Sequence, residues 1–279
     1  MRKNIRYAAR RTATVAGIFY PEDPGELAAT VHRMLSEAPS PTCSPVAIMS
    51  PHGAFSHSGA IAAAAWNAVS GLHPAKVVIV GPSHNAWETG IFLPESELFE
   101  TPLGDVRIDS GLVASLARCG SAFRAFDIPH LEEHCIEVQL PFMQILFPEA
   151  LLVPVIVSKP NQSTIEMFTA AIDTVFGDSP RDTLFVITTD LAADKDAAFV
   201  HKRAAEFSRL CASGDRSGLL AASLAQDAPC GAGALAAIHD CRFMRGCRCT
   251  IIREGDSEAM RDSPEEHIVG YAAVAFCRA

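Results

Sequence analysis

The chain has 279 residues and 49% hydrophobic content, enough for a large core, which excludes a disordered or collagen-like polypeptide. Its 23 basic and 32 acidic residues give a formal charge of −9, so nothing global favours nucleic acid or an anionic membrane as partner. The nine cysteines are odd in number and form no paired framework, a usage that fits a reducing cytoplasmic compartment.

Met1 to Arg11 is basic, but Tyr20-Pro-Glu-Asp23 interrupts the chain before a signal-peptide core forms. No segment has transmembrane length, since Ile61 to Val69 is short and broken by Asn67. Pro24 to Leu35 predicts an amphipathic helix with Leu27, Val31, Met34 and Leu35 on one face. Pro39-Ser-Pro-Thr-Cys-Ser-Pro45 reads as a stiff connection into the first buried strand, Val46 to Met49. A helix over Gly59 to Ser70 and a strand over Lys76 to Val80 follow. Helices are then expected over Ser110 to Arg118 and Glu137 to Leu146, a strand over Leu151 to Val157, and a helix over Ser163 to Val175. Leu184 to Thr188 reads as a fourth buried strand and Phe199 to Cys211 as a helix. Cys249 to Arg253 and Tyr271 to Phe276 are strands that complete the same sheet, with a polar loop over Gly255 to Glu266 between them. This alternation implies one α/β domain over residues 1–279, with a mixed, largely parallel central sheet flanked by helices. No repeat or low-complexity linker divides it.

Ligands of open α/β sheets bind outside the carboxyl ends of the strands. Here those ends read Ser50-Pro-His52-Gly-Ala-Phe55, Gly81-Pro-Ser-His84-Asn85 and Thr188-Thr-Asp190-Leu191. A single histidine after a strand is ordinarily a satisfied loop residue; a second in a matching context points to metal ligation. Asp190 and one cysteine are the candidates for a third ligand. Gly53 and Gly81 permit close backbone approach beside the two histidines.

A second polar cluster, His130-Leu-Glu-Glu-His134-Cys-Ile-Glu137, lacks the second histidine of a zinc-protease motif. His134 and Glu137 are three apart, so a helix starting here would turn both to one side, as a proton-transfer pair or as support for the ligands. Cys230, ahead of Gly231 and Gly233 at an expected helix start, is a place where a thiolate is favoured. Cys241, Cys247 and Cys249 lack the spacing of a structural zinc knuckle. A serine hydrolase built on Ser83, His134 and Asp190 fits poorly, because Gly81-Pro-Ser-His-Asn85 lacks the second glycine of a nucleophile elbow.

In order along the chain, Ala16-Gly-Ile-Phe-Tyr-Pro-Glu-Asp-Pro-Gly-Glu-Leu27, Pro51-His-Gly-Ala-Phe-Ser-His-Ser-Gly59, Gly81-Pro-Ser-His84, Glu133-His-Cys-Ile-Glu-Val-Gln-Leu-Pro-Phe142, Thr188-Thr-Asp190, Cys230-Gly231 and Gly270-Tyr-Ala-Ala273 resemble the Memo family, also called the AmmeMemoRadiSam system protein B family. The resemblance implies a fold similar to the class III extradiol dioxygenases and a non-haem metal on His52, His84 and Cys230. Fe(II) is the implied metal, with copper or zinc as alternatives. It also implies Asp190 near the metal, with Asp190 and His134 as hydrogen-bonding or acid/base groups.

Three departures stand out. His52-Gly-Ala-Phe55 replaces the family's His-Ala-Gly-Tyr, His57 stands where a tyrosine is usual, and Ala193 occupies the place of a histidine that serves as acid/base in the dioxygenases. His134 or His57 would have to take over that role. The implied activity is a metal-dependent oxidoreductase acting on a small molecule. The alternative is a non-catalytic binding or redox-signalling protein, as animal members are described as motility adaptors that bind phosphotyrosine peptides. The family name further implies a functional link to a radical-SAM protein; neither nucleic acid nor membrane is an expected partner.

Overall fold

The computed structural model describes residues 9–40, 43–85, 88–260, 263 and 266–278. The basic residues before Ala9, Pro41 and Thr42 of the proline-rich connection, and part of the Gly255 to Glu266 loop lie outside them. The described strands are β1 (Arg10–Arg11), β2 (Pro45–Ser50), β3 (Lys76–Pro82), β4 (Gly90–Leu93), β5 (Leu98–Thr101), β6 (Gly104–Arg107), β7 (Phe123–Ala125), β8 (Leu151–Ser158), β9 (Thr183–Thr188), β10 (Ala192–Asp194), β11 (Cys247–Asp256) and β12 (Ile268–Arg278).

Nine of them form one mixed sheet in the order β10-β12-β2-β9-β3-β8-β4-β7, with β11 also on β12. Its centre, β2-β9-β3-β8, is all parallel. Those strands are the apolar β-branched runs, buried from both faces because helical crossovers must cover a parallel sheet. The flanks join it antiparallel: β11 and β12 form a long ladder, β12 pairs with β2, and β4 pairs with β8, while the outermost β7 runs parallel to β4. A separate small sheet holds β1, β5 and β6.

Helices pack where the apolar spacing put them. Pro24–Ser36 starts on Asp23, whose side chain accepts from the Glu26 amide at 2.8 Å, and it buries Leu27, Val31, Met34 and Leu35. The Phe55–Asn67 helix begins four residues earlier than its apolar run suggests, and its fully buried Ala63, Ala64 and Ala65 let it lie close on β11 and β12. Glu137 to Leu146 divides into a 3-10 turn, Glu137–Gln139, and an α-helix, Leu140–Leu146. Trp66, Phe142, Phe168 and Phe185 are among the large side chains of a core that runs through the whole sheet. No helix among the described residues is long and apolar enough to cross a membrane.

The expectation of unpaired cysteines is corrected at one place. Cys43 and Cys277 are disulfide-bonded, with Cα atoms 6.2 Å apart and 234 positions of sequence between them. Cys277 lies opposite Pro45 in the β12–β2 register, so sheet pairing brings together two thiols that spacing could not connect. The other seven are free.

Candidate metal centre

Because β2, β9 and β3 are parallel neighbours, the segments after Ser50, Thr188 and Pro82 leave the sheet at the same edge. His52, Asp190 and His84 therefore share one mouth. The Gly81 position needs its lack of a side chain, since a Cβ there would stand 2.5 Å from Cys135 Sγ and 2.7 Å from Thr188 Cγ2.

His52 is 1% exposed. Its Nδ1 lies 2.9 Å from Thr188 Oγ1, and its backbone amide donates to Asp190 Oδ1 at 3.0 Å. That leaves Nε2 facing inward, 3.4 Å from Cys230 Sγ and 3.8 Å from Asp190 Oδ2. His84 is held by Glu133: its amide donates to Oε2 at 2.7 Å, and its Nδ1 lies 3.0 Å from Oε1. The same Oε1 accepts from the His134 amide at 2.8 Å and stands 3.2 Å from His134 Nδ1. The three rings lie close, with centroids 5.1 Å apart for His52 and His84, 5.6 Å for His52 and His134, and 4.9 Å for His84 and His134. One donor nitrogen from each falls within 4.8 Å of the others.

Cys230 enters from a different part of the chain. The residue is exposed, but its sulfur contacts His52 and accepts from the Asp190 amide at 3.3 Å. Gly231 makes this approach possible: its amide donates to Thr189 Oγ1 at 2.8 Å, and a Cβ there would stand 2.4 Å from the Thr188 carbonyl oxygen. The helix Ala232–Asp240 follows at once.

Charge organises the cluster. Burial opposes ionisation of Glu133, but the His84 hydrogen bond and charge bring its pKa down to about 2. Burial works against a charged His84, yet Cys230 and Glu133 push it up to about 10. Burial also works against charge on His52, and is outweighed by Asp190 and Cys230, which raise it. His134 goes the other way, down to about 4, through burial and the nearby His52. Cys230 falls to about 6, since His52 and His84 overcome the effect of burial. Imidazole and thiolate donors suit iron, copper or zinc; an oxygen-seeking cation such as Mg²⁺ or Ca²⁺ does not match them. The engaged Nδ1 atoms leave Nε2 of each ring as the ligand atom, which is how metal-binding histidines are commonly oriented. The residues present therefore fit a transition metal.

A cavity of about 360 Å³ opens beside the donors. His84, Asp190 and Cys230 form one end, and Ala193, Phe199 and Arg203 are among its walls.

Residues 11–275 match the sequence profile of the family described as Memo-like protein. The chain belongs to the Memo family. A MEMO1 family protein of Methanothermobacter thermautotrophicus is 29% identical over 277 residues, covering 94% of this chain and 98% of its own. One from Methanopyrus kandleri is 29% identical over 282 residues, covering 96% and 99%. Among solved structures, the uncharacterized protein JW3007 from Escherichia coli K12 aligns with a TM-score of 0.44 and 14% identity, over 82% of this chain and 98% of that one.

In this Memo chain, His52, His84, His134, Asp190 and Cys230 come together. Glu137 does not join them. It turns away from His134 to a buried ion pair with Arg11: helical structure resumes only at Glu137, so His134 precedes it and the two share no helix face. Glu133, beside the histidine singled out from sequence, is the carboxylate that serves the imidazoles; its one sequence signal was an acid just before His134, which the neighbouring Glu132 shares. His57 is exposed on the Phe55–Asn67 helix, and Ala193 sits on β10 in the cavity wall.

Proposed function

We propose that this Memo-family chain holds one Fe(II) on His52, His84 and Cys230 and acts as a dioxygenase-like oxidoreductase on a small molecule seated in the adjoining cavity. The observation that carries this reading is the convergence of imidazole nitrogens whose opposite ring atoms are already engaged by Thr188 and Glu133. When bound, the metal supplies open coordination positions and the redox capacity for dioxygen chemistry.

The protein's own groups do the rest. Thr188 and Glu133 orient His52 and His84, and Asp190 holds the His52 main chain. His134 lies in ring contact with both and accepts a proton from the substrate, the role that Ala193 cannot perform. Phe199, Ala193 and Val269 give the cavity apolar surface against which a substrate body can pack.

Elemental analysis of anaerobically purified protein is the test. About one iron per chain is expected, lost in His52→Ala, with oxygen consumption on catechols abolished by His84→Ala. No bound metal, with His52→Ala unchanged in reconstitution, overturns the reading; copper or zinc in place of iron overturns the choice of metal. The alanine at 193 specifically favours a second reading, a binding protein without turnover. Ligand binding to metal-loaded protein without oxygen uptake decides for it.

A further inference from the structure

A buried ion pair lies just outside the metal centre. The Arg11 and Glu137 side chains are 1% and 0% exposed and bond through Nη1 and Oε2. Burying both charges is costly unless each donor and acceptor finds a partner. Glu137 accepts from the backbone amides of Thr14 and Val15, at 3.0 Å each for the nearest contact, from the Thr14 hydroxyl at 2.9 Å and from the Tyr20 hydroxyl. The remaining Arg11 donors reach the carbonyl of His130 at 2.8 Å, the carbonyl of Glu133 at 2.8 Å and Thr14 Oγ1 at 3.1 Å. An apolar pair of similar volume would pack here without the desolvation penalty, so stability alone does not account for the arrangement.

The carbonyls that Arg11 grips are that of His130, in the short helix Ile128–Leu131, and that of Glu133 just after it, and the Glu133 carboxylate faces Nδ1 of both His84 and His134. The same N-terminal segment also reaches the other side of the centre. The Phe19 ring lies 4.7 Å from His134, and the Phe19 carbonyl accepts from the Phe55 amide at 2.7 Å, three residues after His52. Residues 11–20 thus touch the loops of His52 and His134 at once.

We propose that Arg11 is a positioning residue: through the Glu133 main chain it sets the carboxylate that aims His84 and His134 into the centre. Glu137 and Thr14 fix the guanidinium for that task. The proposal rests on reading the centre as a metal site. Lysine at position 11 would keep the charge opposite Glu137, but an ammonium cannot reproduce the planar fork that meets a carboxylate and two carbonyls together.

The test uses the full chain with Co(II) as probe, comparing Arg11→Lys, Glu133→Gln and the double variant. Arg11→Lys is expected to weaken Co(II) binding by about 10- to 100-fold, the usual effect of losing support behind a ligand. The double variant binds no more weakly than Glu133→Gln alone, since both act through one carboxylate. A lowered Tm with unchanged Co(II) affinity, or losses that multiply in the double variant, overturns the proposal. If Arg11→Lys does not fold, Thr14→Val serves instead; it removes the hydroxyl joining the pair and is expected to weaken Co(II) binding several-fold, and unchanged affinity overturns the proposal. The histidine ring ¹⁵N signals of metal-free protein provide a separate readout. Those of His84 and His134 shift in Arg11→Lys, or in Thr14→Val if that variant is used; unshifted signals overturn the role of Arg11. Wild-type protein that takes up no Co(II) removes the metal reading, while these ring signals still decide whether Arg11 positions the imidazoles.

Discussion

Alanine at Gly231 is the sharpest steric probe of the centre. Its methyl carbon would stand 2.4 Å from the Thr188 carbonyl oxygen and 2.6 Å from Thr189 Cβ. Carbon contacts settle near 3.5–4.0 Å, so the chain around residue 231 must retreat by about 1 Å. Neither obstacle is the free end of a flexible side chain. Gly231 has φ −94°, open to any residue, so the effect is one of space and not of dihedral strain. Overpacking of this kind costs about 1–3 kcal/mol. At roughly 2–4 °C per kcal/mol for a chain of this size class, Tm falls by several degrees. The residue pushed aside carries Cys230 with it, and its sulfur, now 3.4 Å from His52 Nε2 and 3.3 Å from the Asp190 amide, leaves contact range. In Co(II)-loaded protein, Gly231→Ala should lose the sulfur-to-metal charge-transfer band while imidazole-dependent bands persist. A wild-type Tm together with a full charge-transfer band would refute the close-approach reasoning.

Acid sensitivity should trace to His130, which is 2% exposed, bonded through Nε2 to the Phe92 carbonyl at 3.1 Å, and unpartnered at Nδ1. Burial holds its pKa down at about 4, against about 6.5 when unfolded. The unfolded chain therefore binds more protons between those values; this contribution is complete above pH 6.5 and is lost as pH falls to 4, on the order of 3 kcal/mol in all. Urea titrations at pH 7 and 4.5 should show a smaller difference for His130→Gln than for wild type, and equal differences count against the assignment. The Cys43–Cys277 bond spans 234 positions, so chain-entropy arithmetic puts its contribution at up to about 5 kcal/mol. Tm should drop on reduction and equally in Cys43→Ser, and a Tm indifferent to both would contradict a stabilising role.

The parts of this fold legible from sequence are those where one physical signal dominates. Lys76 to Pro82 and Thr183 to Thr188 are apolar and β-branched enough to be central strands and nothing else, and His84 and Asp190 at their ends follow from that reading. Ala192 to Asp194 has no such pattern; it is a strand because Ile268 to Gly270 of β12 lies antiparallel beside it. Glu133 and Glu137 look alike in sequence. Only the late start of the helix, after His134, and the arrival of Arg11, more than a hundred residues away, separate the carboxylate behind the imidazoles from the one locked in an ion pair. The Cys43–Cys277 bond was invisible for the same reason, being a product of strand register.

Glu133 supports two imidazoles with one carboxylate: its Oε1 meets the Nδ1 atoms of both His84 and His134, and its Oε2 also lies 3.1 Å from His84 Nδ1. The two rings are therefore hung on a single pivot. Any displacement of that side chain reaches them as a correlated error, so neither histidine can drift out of alignment while the other keeps time. For an engineer re-aiming these imidazoles, position 133 is a coarse control that turns both rings together, whereas Thr188, which meets the ring of His52, is the fine one.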